Sequence, residues 1–469
     1  MWFRQDLRLA DNPALTAACE RGEIFPVYIL DDVAAGAWKM GGASRWWLHH
    51  ALEDLNSSLD GNLNLFKGDA SKVLPDLAAK IGASAIYWNR CYEPWRISRD
   101  AEIKIVMREH GLDVKSFCGS LLWEPWKVIK KDSTPYKVYT PYYRRGCLSL
   151  PSPRRPISAP KNIQISEKSK YSLTFEDLYL KPIINWDEKI TNRWTVSENA
   201  AQQRLDEFVL DELQDYRDGR NFPDKANVSR LSPYLHFGQI SPNTAWFRAL
   251  DASALIANEK SLDTFLSELG WREFSYYLLY HFPHLPHKNL QSKFDAFPWP
   301  KTQASILRLW KSGKTGYPLV DAGMRELYST GYMHNRVRMV VGSFLVKNLL
   351  IHWHEGESWF WDCLVDADLA SNSAGWQWIA GCGADAAPYF RIFNPITQSE
   401  KFDKQGNYIR RYVPELANMP DKFIHAPWLA PEHILKEAGI EIDVNYPAPV
   451  VDIKMSRALA LEAFAQTKT

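Results

Sequence analysis

The chain has 469 residues, too many for one ordinary hydrophobic core, so two or more domains are expected. It is 46% hydrophobic and 24% charged, and no apolar run reaches bilayer-spanning length, which excludes a disordered or membrane-embedded class. A formal net charge of +1 neither requires nor excludes nucleic acid, because only a local basic patch would matter.

The aromatic content is the outlier, with 20 Trp, 21 Tyr and 21 Phe. Cys19, Cys91, Cys118, Cys147, Cys363 and Cys382 form no CxxC pair and read as reduced thiols. The start "MWFRQDLRLA" has no signal-peptide pattern, so a cytoplasmic location is expected.

In chain order, residues 1–130 alternate strand-like and helix-like patterns. "EIFPVYILDD" ends as a buried strand. "SRWWLHHALEDLNSSL" then sets Trp47, Leu48, Ala51, Leu52, Leu55 and Leu59 on one helical face. "LNLFKGDA", "SAIYWNR" and "LDVKSFCG" read as further strands. This alternation predicts a doubly wound, parallel-sheet α/β domain whose first strand is short. Residues 131–195, including "LSLPSPRRPISAPKN", read as an inter-domain connection able to wrap a surface. Residues 196–469 are predicted to be a mostly α-helical domain, with helices over 198–212, 261–281, 318–329, 333–350 and 356–367.

Several motifs fail on inspection. "GCGADA" (381–386) matches a dinucleotide fingerprint by letter but lacks the preceding strand. "GKT" at 313–315 has Arg308 where a phosphate-binding loop needs glycine. Pro283 and Pro286 interrupt the helix that would aim His281, His284 and His287 at one ion, so no metal site is expected.

Others hold. "NVSRLSPYLHFG" (227–238) offers Ser232 as an N-cap followed by Pro233, with Arg230 beside free backbone N–H groups, an anion cradle at a helix start. Residues 330–378 crowd Asn335, Arg336, Arg338, Asp366, Asp368 and Asn372 among apolar neighbours. Buried carboxylates need partners, and Arg338 is an available one for Asp366. In "SNSAGWQW" Trp376 and Trp378 stand two residues apart, on nearly opposite sides of a helix, so they must meet different surroundings.

These motifs carry a resemblance. "WFRQDLRLADNPAL", "DYRDGRNFP", "SRLSPYLHFGQISP", "WREF", "GKTGYPLVDAGMREL", "MHNRVRM" and "GWQW...APYFRIFNP" occur in the order of the photolyase/cryptochrome family, over nearly the whole chain. "DAAPYFRIFNPITQSEKFD" is most similar to bacterial cyclobutane pyrimidine dimer photolyases.

The resemblance implies FAD in the helical domain and an antenna chromophore, folate or deazaflavin, in the α/β domain. "CYEPWRISRD" has Trp95 and Arg96 where folate-binding relatives can carry an Asn-Glu pair. By position, Tyr216, Val228, Ser229, Arg230, Leu231, Ser232, Asp366, Ala367, Asp368, Asn372 and Arg338 match FAD contacts, with Asn372 facing the reactive nitrogen. Trp376, Trp353 and Trp299 match an electron-transfer chain. Arg220, Glu268, Trp271, Arg272, Asn335, Arg336, Met339, Trp378 and Gln398 match DNA and substrate positions, and Glu268, Asn372, Trp271 and Met339 the catalytic set. Tyr332 stands where dimer photolyases commonly carry a pocket tryptophan.

The activity implied is light-driven DNA repair by a deoxyribodipyrimidine photo-lyase. Reduced FAD gives an electron to a flipped-out pyrimidine dimer, which splits, and the electron returns. The alternative is a cryptochrome-type photoreceptor without repair; a generic flavin electron carrier would leave the substrate positions unexplained. Asn372, where plant cryptochromes tend to carry Asp, together with Met339 and Asn335 favours dimer repair, as does the short stretch after "YPAPVV". The expected partner is damaged DNA, with no membrane, and the expected state is a monomer.

Overall fold

Short β-branched and aromatic runs between helices form the strands β1 (Trp2–Phe3), β2 (Val27–Leu30), β3 (Asn64–Lys67), β4 (Ala85–Asn89) and β5 (Asp113–Phe117). The computed structural model describes residues 1–253, 258–386 and 390–467. All pairings are parallel: β1 with β2, β2 with β3, and β4 with β5. Trp2, Val27, Ile29, Ile86, Trp88 and Val114 on the strands pack with Leu74, Leu77, Ile103 and Met107 from two helices. The predicted α/β domain is therefore present, and β1 is indeed only two residues long.

The helix Gly42–Ser58 buries Trp47, Leu48, Ala51, Leu52 and Leu55, the face its periodicity marked. The connection is ordered against the sheet. Leu173 N–H donates to Leu65 O at 2.8 Å, and Ile157 N–H donates to an Asp11 carboxylate oxygen at 3.0 Å.

Two compact units result, interleaved along the chain. The first comprises Met1–Gln214, Ser229–Pro283 and Val365–Ser371; the second comprises Asp215–Val228, His284–Leu364 and Asn372–Thr469. Within the first, the helix Ser232–Phe237 ends at Gly238, whose φ of +73° is left-handed. A β-carbon there would stand 2.1 Å from Gln5 O, so only glycine lets that helix end approach the backbone after β1.

The second unit is helical throughout its described elements, among them Pro318–Thr330, Asn335–Ser343 and Trp353–Cys363. The predicted helix 356–367 is corrected: it starts at Trp353, because the His352 side chain caps it, and ends at Cys363. Residues 364–368 are a link, which leaves Asp366 and Asp368 in non-helical backbone before the helix Leu369–Ala380. Among the described residues no helix is long and apolar enough to cross a membrane.

Candidate active site

In the first unit the turn before Ser232–Phe237 is the first element. Arg230 adopts φ +52°, a left-handed conformation costing an arginine about 1 kcal/mol. The N-cap is Leu231, not Ser232 as the sequence suggested, and no side chain caps the helix. The left-handed Arg230 turns the chain one residue early, so Ser232 becomes the first helical residue and Pro233 the second. Ser232 is exposed and Leu231 buried. Arg204 Nε holds the turn by donating to Ser229 O at 2.9 Å.

The link Val365–Ser371 carries two different aspartates. Asp366 Oδ1 is buried and has no hydrogen-bond partner among the described residues. Asp368 is fully engaged: the Tyr276 hydroxyl donates to Oδ2, Ser371 N–H donates to Oδ1 at 2.7 Å, and His236 Nδ1 lies 3.5 Å from Oδ2. Burial alone would raise its pKa, but His236, Tyr276 and the Ser371 N–H outweigh it and hold the carboxyl down at about 2. Ala367 between them is buried.

The long helix Glu259–His281 presents Glu268, Trp271 and Arg272, each half-buried. Trp271 stacks on Tyr139 at 3.7 Å with an interplanar angle of 11°. Tyr139 is itself fixed, its hydroxyl donating to Ser267 O at 2.6 Å. Arg272 is turned toward protein: Nη1 donates to Ser120 O at 2.9 Å, and Glu273 lies 3.2 Å away.

In the second unit Tyr216 is buried at the start of a one-turn helix, with the Arg220 guanidinium 5.3 Å above its ring; Val228 is half-buried. Arg336 lies over Phe402 at 4.4 Å and donates to Asn221 Oδ1. Its Nε is buried without a hydrogen-bond partner among the described residues, and its pKa is lowered by burial and then by the neighbouring Arg220 charge. Two cations share this place, which suits an anion. Asn335 is exposed at the start of its helix, while Met339 and Gln398 are half-buried. Arg338 lies over Phe360 at 5.7 Å, its buried Nε without a hydrogen-bond partner among the described residues.

Asn372 is buried, and its Nδ2 donates to Glu357 O at 3.0 Å. That bond leaves the amide Oδ1 without a hydrogen bond among the described residues. The Glu357 carboxyl accepts from Ser373 Oγ at 2.6 Å, and burial pushes its pKa up to about 8, so it is protonated at neutral pH.

The tryptophan pair separates as its spacing required. Trp376 is 3% exposed, edge-on to Phe360 at 5.1 Å and to Trp310 at 6.4 Å. Trp378 is half-buried on another side. Gln377 between them is fully buried, its Nε2 donating to Leu285 O and Lys288 O at 2.6 and 2.8 Å. Trp353 is buried, with its indole N–H donating to Asn289 Oδ1 at 3.2 Å, and Trp299 is half-buried.

Tyr139, Glu357 and Gln377 were not singled out from the sequence. Gln377 sat inside the noticed "GWQW", Glu357 lies 15 residues before the Asn372 it orients, and Tyr139 lies far along the chain from Trp271. Residues 387–389 of the "APYFRIFNP" motif lie outside the described residues.

Fold and side chains define a class: an α/β sheet unit and a helical unit lined with the polar and aromatic groups of a cofactor protein. Residues 1–161 match the family model described as DNA photolyase, and 265–466 match the FAD binding domain of DNA photolyase. The chain is 47% identical to a deoxyribodipyrimidine photo-lyase of Agrobacterium fabrum, covering 100% of this chain and 98% of that protein. It is 38% identical to Cryptochrome-1 of Arabidopsis thaliana, over 99% of this chain and 70% of that one. A solved bacterial class III photolyase from Agrobacterium tumefaciens superposes with a TM-score of 0.95 at 47% identity, covering 100% and 97% of the two chains. The protein belongs to the photolyase/cryptochrome family.

Proposed function

We propose that this protein is a light-driven DNA repair enzyme, a deoxyribodipyrimidine photo-lyase acting on cyclobutane pyrimidine dimers. The observation that carries the reading is the 47% identity to such an enzyme over the whole chain, against 38% to a cryptochrome.

The residues present fit FAD. The uncapped start of Ser232–Phe237, with the exposed Ser232 hydroxyl and the nearby Arg230, suits the phosphates. The orphaned Asp366 Oδ1 suits a hydroxyl or amine donor, and Asn372 Oδ1 suits an N–H donor. FAD bound there would supply light absorption and a reversible one-electron donor.

The chain's own part is to position and exclude. Asp368, locked by Tyr276 and His236, fixes the link that carries Asp366. Asn372 is oriented by Glu357 O, and the protonated Glu357 adds no charge beside it. Trp271, backed by Tyr139, offers one ring face on which a flipped base can stack, with Glu268 one turn away on the same helix for its polar edge. Arg220 and Arg336 suit a backbone phosphate. Asn335, Met339, Trp378 and Gln398 are assigned to the same substrate role.

Trp376, Trp353 and Trp299 are assigned to the supply of electrons from the surface. Indole is readily oxidised, and the half-buried Trp299 has water to take up a proton. A second chromophore, folate or deazaflavin, belongs in this reading to the α/β unit, where the buried Glu93 Oε2 has no hydrogen-bond partner among the described residues while Glu93 Oε1 pairs with Arg96 Nε at 3.4 Å. The six free cysteines support a reducing, cytoplasmic setting. One copy carries every assigned residue, so a monomer suffices.

The test is repair. The purified, chemically reduced protein is mixed with a thymine-dimer oligonucleotide, and recovery of thymine absorbance is followed under blue light and in the dark. Recovery only in the light is expected. No recovery with flavin bound and reduced would replace this reading with the cryptochrome one.

A further inference from the structure

Trp353 and Trp299, the two outer members of the assigned chain, have no ring contact with each other among the described residues. Trp299 instead contacts Phe297 at 4.4 Å and His352 at 4.9 Å. His352 in turn lies nearly parallel to Trp353, at 5.6 Å and 27°. His354 packs on the other indole neighbourhood, 3.8 Å from Trp353 and 4.6 Å from His352. An imidazole therefore fills the gap between the two indoles.

That imidazole is held neutral by geometry. His352 Nδ1 accepts from the backbone N–H of His354 at 3.2 Å and so caps the helix Trp353–Cys363. A proton on Nδ1 would abolish the cap. Burial keeps the ring easier to deprotonate than an ordinary histidine, only partly opposed by Glu355. His354 is pushed to about 4 by burial, then by His352 and His287, and its buried Nε2 has no hydrogen-bond partner among the described residues.

We propose that His352 is a further positioning residue of the photoreduction path, a neutral aromatic bridge through which one electron passes from Trp299 to oxidised Trp353. The inference rests on the assignment of these tryptophans under the proposed function. In the step Trp353 is reduced to its resting state and Trp299 is oxidised by one electron, after which Trp299 releases its indole proton to water. Imidazole is harder to oxidise than indole, so His352 shortens the gap without holding the charge. Protonated, it would set a positive charge 5.6 Å from the ring that must carry one, which disfavours oxidised Trp353 on the order of a hundredfold.

The groups facing this ring are His354 and Glu355 from its own helix, with His287 acting on His354 from the loop that follows the helix Glu259–His281. The formation of oxidised Trp353 should therefore be constant from about pH 8 down to the ordinary histidine range near 6.5 and fall below it.

The experiment is flash photoreduction of the flavin-loaded, oxidised protein, reading the tryptophan radical by transient absorption, with His352 followed separately by NMR titration of its ring protons. His352→Asn keeps an N-cap acceptor but removes the ring and its titration. It should slow the Trp299 step several-fold at pH 8 and abolish the part of the acid fall that lies above the titration of His354 at about 4. His352→Phe keeps a ring that cannot be charged, and should retain the rate and lose the same part of the acid fall. An Asn variant as fast as the parent, or a parent yield flat through the pH at which His352 titrates, would overturn the proposal. Trp353→Phe separates the two readings: full photoreduction in that variant would dismiss the tryptophan chain itself, and with it the bridge.

Discussion

Gly356 offers the sharpest mechanical test of how Trp376 is held. It lies inside the helix Trp353–Cys363, where replacing glycine by alanine ordinarily gains up to about 1 kcal/mol. Here the added β-carbon would stand 2.1 Å from Cη2, 2.4 Å from Cζ3 and 2.6 Å from Cζ2 of Trp376. Ordinary carbon contacts lie near 3.5 Å or beyond, so the indole must move by about 1 Å or more. It has little room, with Phe360 at 5.1 Å and Trp310 at 6.4 Å between ring centres.

Overpacking of this kind costs about 1–3 kcal/mol, enough to reverse the sign of the helix preference. Gly356→Ala should therefore lower the denaturant midpoint without changing the slope of the unfolding curve. The same substitution in a Trp376→Phe background, where those indole carbons are absent, should cost far less. A double-mutant cycle measures the difference. Equal effects in the two backgrounds, or a stabilised single variant, would refute the close packing of helix on indole.

Trp376→Phe should slow photoreduction of the oxidised flavin strongly while protein reduced chemically beforehand keeps most of its repair rate; parallel loss of both would remove Trp376 from the electron path. Trp310 touches Trp376 but is fully buried, with its N–H on Val341 O at 3.3 Å, so a charge arriving there has no water to receive a proton. Trp310→Phe should leave the final yield of photoreduction unchanged, and a large loss would show that the path runs through it.

Glu357, at about 8 against an unfolded value near 4.5, binds a proton in the folded state that the unfolded chain has lost. Its contribution to stability is present below the unfolded value and falls as pH rises from about 5 to 8, by up to about 1.4 kcal/mol per pH unit. Since Glu273 and Asp403 are also raised, the check is the difference between parent and Glu357→Gln, whose stability should decline less over that range. Arg220→Gln should weaken DNA binding and reduce the salt dependence of log K by about one, measured by titration at several ionic strengths.

Much of the fold was legible because one periodicity dominated each segment. The helix through Trp47 and Leu55 turned its marked face to the core, and the aliphatic and aromatic runs became parallel strands. Boundaries failed where one side chain or one dihedral decided them: His352 starts its helix three residues early, and the left-handed Arg230 moves the cap from Ser232 to Leu231. In the site, the i, i+2 spacing of Trp376 and Trp378 already implied two environments. The ring neighbours of Trp376, Trp310 and Phe360, come from other helices and leave no local pattern, and neither does the Tyr139 behind Trp271.

The central claim is redox-neutral, light-driven repair, and the most direct measurement is a turnover count without oxygen. The protein is reduced once, excess reductant is removed, and thymine-dimer DNA is supplied in large excess under blue light. The account expects many dimers restored for each electron supplied, and none in the dark. Repair that stops at one dimer per electron, or that proceeds equally in darkness, would contradict it.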